Sequence, residues 1–230
     1  VDGSEVRQLT AASSHNTLPG WYPDGTRISF HSDREGRKQP LPWFSMMQDG
    51  SDVRRMEDLS VVFDRISPDG GSVLTSEKID GNTDIFISSS DASNRQRLTY
   101  DLAFDSDMEF SPDGQRIVYE SFVGDLSTAE VIVMNRDGSG KTTIAHGTDP
   151  GWSPDGKQII FKARDQAGKC CEVYIINRDG SEQMMLAENG YFQQFVPNGR
   201  RIIYFAIAGG AHQIFSIKPD GSDRRQLTQP

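Results

Sequence analysis

The sequence predicts an all-β fold built from repeated units, and three observations support this. A proline-containing turn motif recurs at nearly constant spacing, a second turn motif follows each copy, and β-rich segments lie between the two. No segment shows the sustained apolar period of about 3.6 residues that an amphipathic helix requires. Short strands at regular spacing, bounded by turn residues, are typical of all-β proteins.

The first marker is the tetrapeptide Ser-Pro-Asp-Gly or a close variant of it. Its copies lie at 22–25, 67–70, 111–114, 153–156 and 196–199, and their prolines are 45, 44, 42 and 43 residues apart. Proline at the second position and glycine at the fourth suit a type I turn. Tyr22 and Val196 replace the serine and Asn198 replaces the aspartate, which weakens those turns without removing them.

The second marker is the tripeptide Asp-Gly-Ser, which follows each copy of the first. It occurs at 49–51, 91–93, 137–139, 179–181 and 220–222, with Ala92 in the glycine position of the second copy. A sixth copy at 2–4 precedes all the others. Residues 1–10 therefore supply one surplus turn and strand in addition to five complete repeats.

Each repeat contains four predicted strands. The first ends in an apolar residue two positions before the proline, and the second follows the turn as "RISF", "SVLT", "RIVY", "QIIF" or "RIIY". The third reads "WFSMM", "DIFISS", "EVIVMN", "EVYIIN" or "QIFSIK", and the fourth follows the Asp-Gly-Ser turn and ends in "RQRLT" or "RRQLT". Four strands per unit of about 43 residues predict a β-propeller with four-stranded antiparallel blades.

We expect residues 1–230 to form a single propeller domain, and two arrangements of its blades remain open. Either five blades close the ring and the surplus strand covers an edge, or the ring has six blades and lacks most of one. In the second arrangement the open edge requires a partner or a swapped strand, because exposed strand edges pair readily.

The repeat resembles that of the TolB-like (PD40, WD40-like) β-propeller family. The best copy is "GWSPDGKQIIFKAR" followed by "EVYIINRDGSEQMML", within residues 151–186, and the resemblance extends over the whole chain. It implies a non-catalytic scaffold that binds a protein or peptide partner in the bacterial envelope. A periplasmic or secreted location is likewise implied by the resemblance alone.

Charge and hydropathy exclude several classes of function. The net charge is -9, whereas nucleic-acid binding requires a basic surface, so we expect no nucleic-acid partner. No apolar run approaches the roughly 18 residues of a membrane helix, so we expect no membrane insertion. The two cysteines, Cys170 and Cys171, are adjacent, and because a bridge between neighbours is strained we expect two free thiols in a strand.

One stretch, Gly138-Ser139-Gly140-Lys141-Thr142, matches the end of a phosphate-binding loop. A phosphate loop also requires a glycine five residues before Gly140, where this chain has Asn135. The stretch lies between a third and a fourth predicted strand, so we expect a hairpin turn and a solvated Lys141.

The predicted strand directions place both turn markers on one face and the variable loops on the opposite, top face. Loops between repeats approach the central channel there, and varied loops on a rigid scaffold are where function concentrates. These loops and the adjoining strand carry five acids: Asp64, Asp105, Asp107, Glu109 and Asp149. We expect them to bind a basic peptide or a cation at the channel mouth. The alternative is that they cap turns and keep the surface soluble.

Trp43 is a further candidate for partner binding, as an exposed aromatic anchor. The alternative is that it begins a third strand and packs between blades. His15 and His146 each lie eight residues before the proline of their repeat, so they occupy equivalent loops. They are weak candidates for metal ligands, since a metal site also needs a third ligand nearby.

No catalytic signature is present, since the chain contains neither G-x-S-x-G nor H-E-x-x-H. The sequence therefore favours a non-enzymatic protein without a resident cofactor. One alternative is a carbohydrate-active lyase or hydrolase, or the detached propeller domain of a prolyl-oligopeptidase-like peptidase. Another is a purely structural module of a larger chain.

Overall fold

The computed structural model describes residues 7–10, 14–21, 26–36, 42–55, 66–89, 93–164 and 170–228. Within these ranges the regular structure is β, apart from one 3₁₀ turn at Leu126–Thr128. The predicted all-β class is confirmed. Over the same ranges, no helix has the length and apolar character needed to cross a membrane.

The strands follow the order of the repeats. They are β1 (Asn16–Trp21), β2 (Arg27–Ser32), β3 (Trp43–Met47), β4 (Arg54–Arg55), β5 (Ser72–Ile79), β6 (Asn82–Ser89), β7 (Gln96–Arg97), β8 (Phe104–Phe110), β9 (Arg116–Phe122), β10 (Glu130–Asn135), β11 (Thr142–His146), β12 (Thr148–Trp152), β13 (Gln158–Arg164), β14 (Cys170–Asn177), β15 (Met184–Ala187), β16 (Gly190–Phe195), β17 (Ile202–Ala208), β18 (Ala211–Ile217) and β19 (Arg225–Gln226).

These strands form four sheets. Repeats 1, 4 and 5 each give a four-stranded antiparallel sheet in chain order, β1–β4, β12–β15 and β16–β19. Strands β5 to β11 form one seven-stranded sheet, in which a single parallel bridge between Thr83 and Phe104 joins repeat 2 to repeat 3. Ile66 forms an isolated antiparallel bridge with Val73. Residues 56–65, which precede Ile66, lie outside the described ranges.

The proline-containing turns form as their residue types predict. In four copies the glycine N–H donates to the carbonyl three residues earlier, at 2.8 Å in each case. The serine stabilises its turn further: the Ser153 hydroxyl donates to Asp155 at 2.7 Å and accepts the Gln158 N–H at 2.9 Å. Residues 22–25 lie outside the described ranges.

The Asp-Gly-Ser turns that the structure describes contact the chain segment of the preceding repeat. Gly138 has φ +85, and a Cβ built on it would lie 3.1 Å from the Leu98 carbonyl oxygen at the end of repeat 2. Gly180 meets Ile144 of repeat 3 in the same way, at 3.5 Å. The stretch that resembles a phosphate loop is thus a hairpin turn, and Lys141 lies 3.9 Å from Asp101.

The surplus N-terminal segment takes the place of a fourth strand. Leu9 packs against the core of repeat 1, and its carbonyl oxygen lies 3.0 Å from a Cβ built on Gly50. Leu98 has the same relation to Gly138, and both leucines lie seven residues after the aspartate of an Asp-Gly-Ser motif. Arg7–Thr10 therefore lies where the last strand of a preceding repeat would lie.

The hydrophobic core lies between successive sheets. Val118 and Val133 of repeat 3 pack with Trp152 and Ile159 of repeat 4. Repeats 4 and 5 share a second such cluster, which includes Ile160 and Tyr204 with other buried side chains of both sheets. Each of these two pairs of sheets therefore buries its facing sides together, and the first strands are in contact, β8 with β12 and β12 with β16.

The prediction of two free thiols is wrong. Cys171 is disulfide-bonded, no free cysteine occurs in the part of the chain that is described, and the sequence holds only one other cysteine, Cys170. Cys171 has φ +96 and is skipped in the strand register, where Arg164 pairs with Cys170 and Ala163 with Glu172. The prediction rested on the strain of a bridge between neighbouring cysteines in a strand, and the bulge at Cys171 shows that the backbone departs from a regular strand at this point.

Candidate functional site

The site begins with a bulge in the first strand of repeats 3 and 4. The register shifts between Ser106 and Glu109 in β8, and between Thr148 and Gly151 in β12. Asp107 (φ +45) and Asp149 (φ +51) occupy the left-handed conformation inside these bulges, which aspartate tolerates better than most residues. Both lie five residues before the proline of their repeat, so the two repeats place equivalent carboxylates beside each other.

Asp107, Glu120 and Asp149 form what we call the acidic cluster. One carboxylate oxygen from each lies within 4.8 Å of the other two. Asp107 is exposed, Asp149 is half-buried and Glu120 is only 5% exposed. Within the described ranges no other group of three or more His, Cys, Asp or Glu side chains lies this close together. The cluster can therefore receive a cation or a basic side chain.

Glu120 is the buried member of the cluster. Its carboxylate accepts the Ser106 hydroxyl at 2.7 Å and the Asp149 N–H at 3.1 Å. Burial raises the pKa of Glu120, and the charges of Asp107 and Asp149 raise it further, while the Ser106 hydrogen bond acts in the opposite direction. A positive charge entering the cluster would favour the ionised form of Glu120.

Lys162 shows what kind of group the cluster accepts. Its ammonium pairs with Asp149, and it lies eight residues after the proline of repeat 4, as Glu120 does in repeat 3. The Asp149 carbonyl also accepts Gln193 Nε2 at 2.7 Å, which joins the cluster to repeat 5. Beside it, Lys162 and His146 help to line a cavity of about 240 Å³.

Glu109 holds repeats 3 and 4 together. Its carboxylate accepts the Trp152 N–H at 2.9 Å, and its carbonyl accepts the Trp152 indole N–H at 3.3 Å. Glu109, one of the predicted site residues, is therefore close to the acidic cluster in sequence. Its side chain links β8, the first strand of repeat 3, to β12, the first strand of repeat 4.

Asp105 lies inside the packed sheet and is not a member of the acidic cluster. It is fully buried, and no described donor has hydrogen-bond geometry towards either carboxylate oxygen, although the Ser121 and Thr99 hydroxyls lie nearby. Burial raises the pKa of Asp105, and the nearby hydroxyls of Ser121 and Thr99 offset only part of this effect.

The remaining candidates are spread over the chain. Asp64 lies outside the described residues, and Trp43 begins β3, although its side chain is not among those described. His15 and His146 are both exposed, and neither belongs to the acidic cluster.

The sequence analysis does not single out Glu120 and Lys162, although the repeat register contains the signal for them. In repeats 3 and 4, the residues five before and eight after the proline lie on adjacent strands at the same end of the sheet. Comparing these two positions between repeats 3 and 4 would have grouped Glu120 and Lys162 with Asp107 and Asp149.

A family model described as the TolB beta propeller domain (PD40) matches residues 60–230. A TolB homolog from Chlorobium luteolum is 28% identical over 137 residues, which cover 56% of this chain and 31% of that protein. The chain thus matches less than two thirds of this curated relative.

Two solved TolB structures are similar to this chain. That from Acinetobacter baumannii has a TM-score of 0.77 at 20% identity, covering 97% of this chain and 56% of the other. That from Agrobacterium tumefaciens has a TM-score of 0.75 at 19% identity, covering 96% and 83%. At these identities the likeness shows a shared fold.

Proposed function

The chain belongs to the TolB beta propeller domain family, and on this premise we propose that it is a non-catalytic scaffold that binds a protein or peptide partner. The partner binds at the top face and channel mouth, where a basic side chain enters the acidic cluster. The observation that carries the proposal is the convergence of Asp107, Glu120 and Asp149 from two repeats.

The chemistry of the cluster supports a basic ligand group. Three carboxylates within 4.8 Å repel one another, and that repulsion is part of what raises the Glu120 pKa. Lys162 neutralises Asp149 from one side, while Asp107 stays exposed on the other. A lysine or arginine of the partner would therefore gain more at this place than at an isolated surface carboxylate.

We also propose the six-bladed arrangement, with one blade incomplete, in preference to a closed ring of five. The contact of Leu9 with Gly50 supports it, because it repeats the contacts of Leu98 with Gly138 and of Ile144 with Gly180. The N-terminal segment then belongs to a sixth blade.

We further propose a periplasmic or secreted location. The family resemblance implies it, and the disulfide bond of Cys171 supports it independently, because disulfides persist in oxidising compartments.

The test of the partner site measures binding of a labelled peptide containing several lysines and arginines by fluorescence anisotropy. We expect Asp107→Asn combined with Asp149→Asn to weaken binding about tenfold or more, because it removes two of the three carboxylates of the cluster and leaves the Lys162 ammonium without the Asp149 carboxylate that neutralises it. A peptide with glutamine at every basic position should bind neither protein. The same pair of variants should lower the capture of the native partner from cell extract.

The matched control is Asp80→Asn combined with Glu188→Gln, which removes two exposed acids elsewhere and keeps the net charge change the same. This control should bind the peptide as the wild type does. Equal losses in both pairs would mean that only net charge matters and would reject the acidic cluster as the site. Displacement of the peptide by millimolar calcium alone would instead assign a metal cation to the cluster.

A further inference from the structure

Exposed apolar side chains are concentrated at one end of the repeat 3 sheet. The described ranges contain eleven large apolar side chains that are exposed, and five of them lie within residues 100–126. They precede or begin β8, or they follow β9, and because these strands are antiparallel the five residues lie at the same end of the sheet. Apolar groups gathered on a surface in this way are typical of an interaction site. The five residues are Tyr100, Leu102, Phe104, Val123 and Leu126.

Phe104 and Phe122, which we call the aromatic pair, lie beside the acidic cluster. The two residues are directly opposite each other in β8 and β9, and their ring centroids are 5.0 Å apart. Two positions further along these strands Ser106 is opposite Glu120, and its hydroxyl donates to the Glu120 carboxylate. Side chains two positions apart in a strand point to the same face of the sheet. The rings and the Glu120 carboxylate therefore share one face.

Repeat 4 covers only part of this face. Val118, which lies on the same face of β9, is fully buried under repeat 4, and Glu120 accepts the N–H of Asp149 from that repeat. Phe104, further along, is 45% exposed. An acidic group and an exposed aromatic ring thus lie about 7 Å apart along the strand, since each residue of a strand adds about 3.3 Å.

We propose that the partner segment at the acidic cluster is extended and carries a basic residue and an apolar residue with one residue between them. The basic side chain pairs with the cluster, and the apolar side chain packs on the aromatic pair. An extended peptide places such residues on one face about 7 Å apart, which matches the spacing of Glu120 and Phe122 in β9. This inference rests on the proposed function and adds to it the sequence pattern of the partner.

Charge decides between a peptide and a lipid surface as the occupant. The three carboxylates beside the rings attract a basic segment, whereas they repel the anionic headgroups that draw proteins to membranes. The net charge of -9 acts in the same direction. A basic peptide with an apolar side chain therefore complements both the acidic cluster and the aromatic pair.

The experiment titrates the full chain with peptides of equal length and follows binding by NMR chemical shifts. Each peptide has one arginine in a background of glycine, serine and glutamine. The spaced peptides contain Arg-Ser-Leu or Leu-Ser-Arg, since the segment can run in either direction, and the comparison peptides contain Arg-Leu-Ser or Arg-Ser-Ser. We expect the tighter spaced peptide to bind about tenfold more strongly than either comparison peptide. Only its leucine is buried against the aromatic pair, because adjacent residues of an extended peptide point to opposite faces.

Phe104→Gln should lower the affinity of the spaced peptide to that of the Arg-Ser-Ser peptide, because it removes the exposed ring. Its affinity for the Arg-Ser-Ser peptide should stay unchanged, which also shows that the variant is folded and its acidic cluster is intact. Phe104→Leu, which keeps an apolar side chain, should retain most of the preference for the spaced peptide. The matched control is Phe205→Gln in β17, where the phenylalanine is 36% exposed, and it should bind every peptide as the wild type does.

Equal affinities of the wild type for the spaced and comparison peptides overturn the inference and leave the proposed function standing. So does an equal loss for all peptides in Phe104→Gln, because the ring would then not recognise the leucine. Binding of phosphatidylcholine vesicles that Phe104→Gln abolishes, without any preference among the peptides, would assign the rings to a lipid surface and also overturn it. Peptide affinities that are unaffected by Asp107→Asn with Asp149→Asn reject the proposed function instead, so the two proposals fail in different measurements.

Discussion

At the scale of single residues, equivalent positions of the repeat have diverged into different electrostatic roles. Asp105, Gly147 and Gly190 each lie seven residues before their proline, yet only Asp105 places a charge inside the sheet. Five residues before the proline, Asp107 and Asp149 instead turn outward from a bulge to form the acidic cluster. A shift of two residues along one strand thus separates a buried acid from a site that can bind a ligand.

Asp105→Asn should stabilise the fold at neutral pH. Because the pKa of Asp105 is raised in the folded state, the native protein binds more protons than the unfolded chain above pH of about 4, so its stability falls as pH rises through that window. Removing an unpaired buried charge should raise the free energy of unfolding at pH 7 by about 1–3 kcal/mol. The gain should shrink towards pH 4, where wild-type Asp105 is protonated. Urea denaturation at both pH values measures it.

The exposed Asp80→Asn is the control for this experiment, and it should change stability little at either pH. A loss of stability in Asp105→Asn at pH 7 would contradict the argument, because it would mean that the ionised carboxylate has favourable partners.

At the scale of elements, close approach between strands restricts which residues the first strand can use. A Cβ built on Gly147 would lie 2.5 Å from the Lys162 carbonyl oxygen and 2.6 Å from Phe161. Gly147 donates to the Ala129 carbonyl at 2.9 Å, so backbone from two repeats meets at this residue. Position 147 therefore has no room for a side chain and requires glycine. The close approach of β13 at this point is accompanied by the ion pair between Lys162 and Asp149.

Gly147→Ala should destabilise the protein by about 1–3 kcal/mol, since the Lys162 carbonyl oxygen or the Phe161 ring must move to admit the methyl group. Gly151→Ala is the matched control in the same strand, because its Cβ would meet its nearest atom, Glu109 Oε2, at an ordinary 3.5 Å. Thermal unfolding should separate the two variants. Equal midpoints would show that the contact at Gly147 relaxes without cost.

At the scale of the whole molecule, the proposed function assigns separate roles to the net charge of -9 and to the acidic cluster. Under that proposal the net charge would attract a basic partner from a distance, and the cluster would receive a basic side chain at short range. Successive sheets hold the cluster in place, since its members come from β8, β9 and β12 and Gln193 joins them to β16.

Association of the basic peptide should weaken as salt rises from about 0.05 to about 0.5 M, because the Debye length falls from over 10 Å to a few ångströms. Asp107→Asn combined with Asp149→Asn should show a shallower dependence of affinity on salt than the wild type. Anisotropy titrations at several salt concentrations measure both slopes. Parallel slopes would indicate that the peptide binds away from the acidic cluster.

Much of the fold was predictable because its causes are local. Proline and glycine at fixed positions determine turns such as Ser153–Gly156, and alternating apolar residues determine strands such as β10 and β3, whose bounds match the predicted segments. The free thiols could not be excluded in the same way. The backbone at the two cysteines is set by the bulge at Cys171, where β14 has one residue more than the paired part of β13. This bulge comes from the pairing of two strands and is not a property of the cysteines themselves.

The sequence by itself determined the repeat, its two turns and the order of four strands, because turn chemistry and strand periodicity act over a few residues. Only the tertiary structure decided which acids meet. Asp107, Glu120 and Asp149 are brought together by bulges and by the packing of one sheet on the next, whereas Asp105, two residues from Asp107, is buried away from them. Asp107 and Glu120 meet through the pairing of β8 with β9, whereas Asp149, 29 and 42 positions away, reaches them only because one sheet packs on the next, and spacing along the chain does not encode that packing directly.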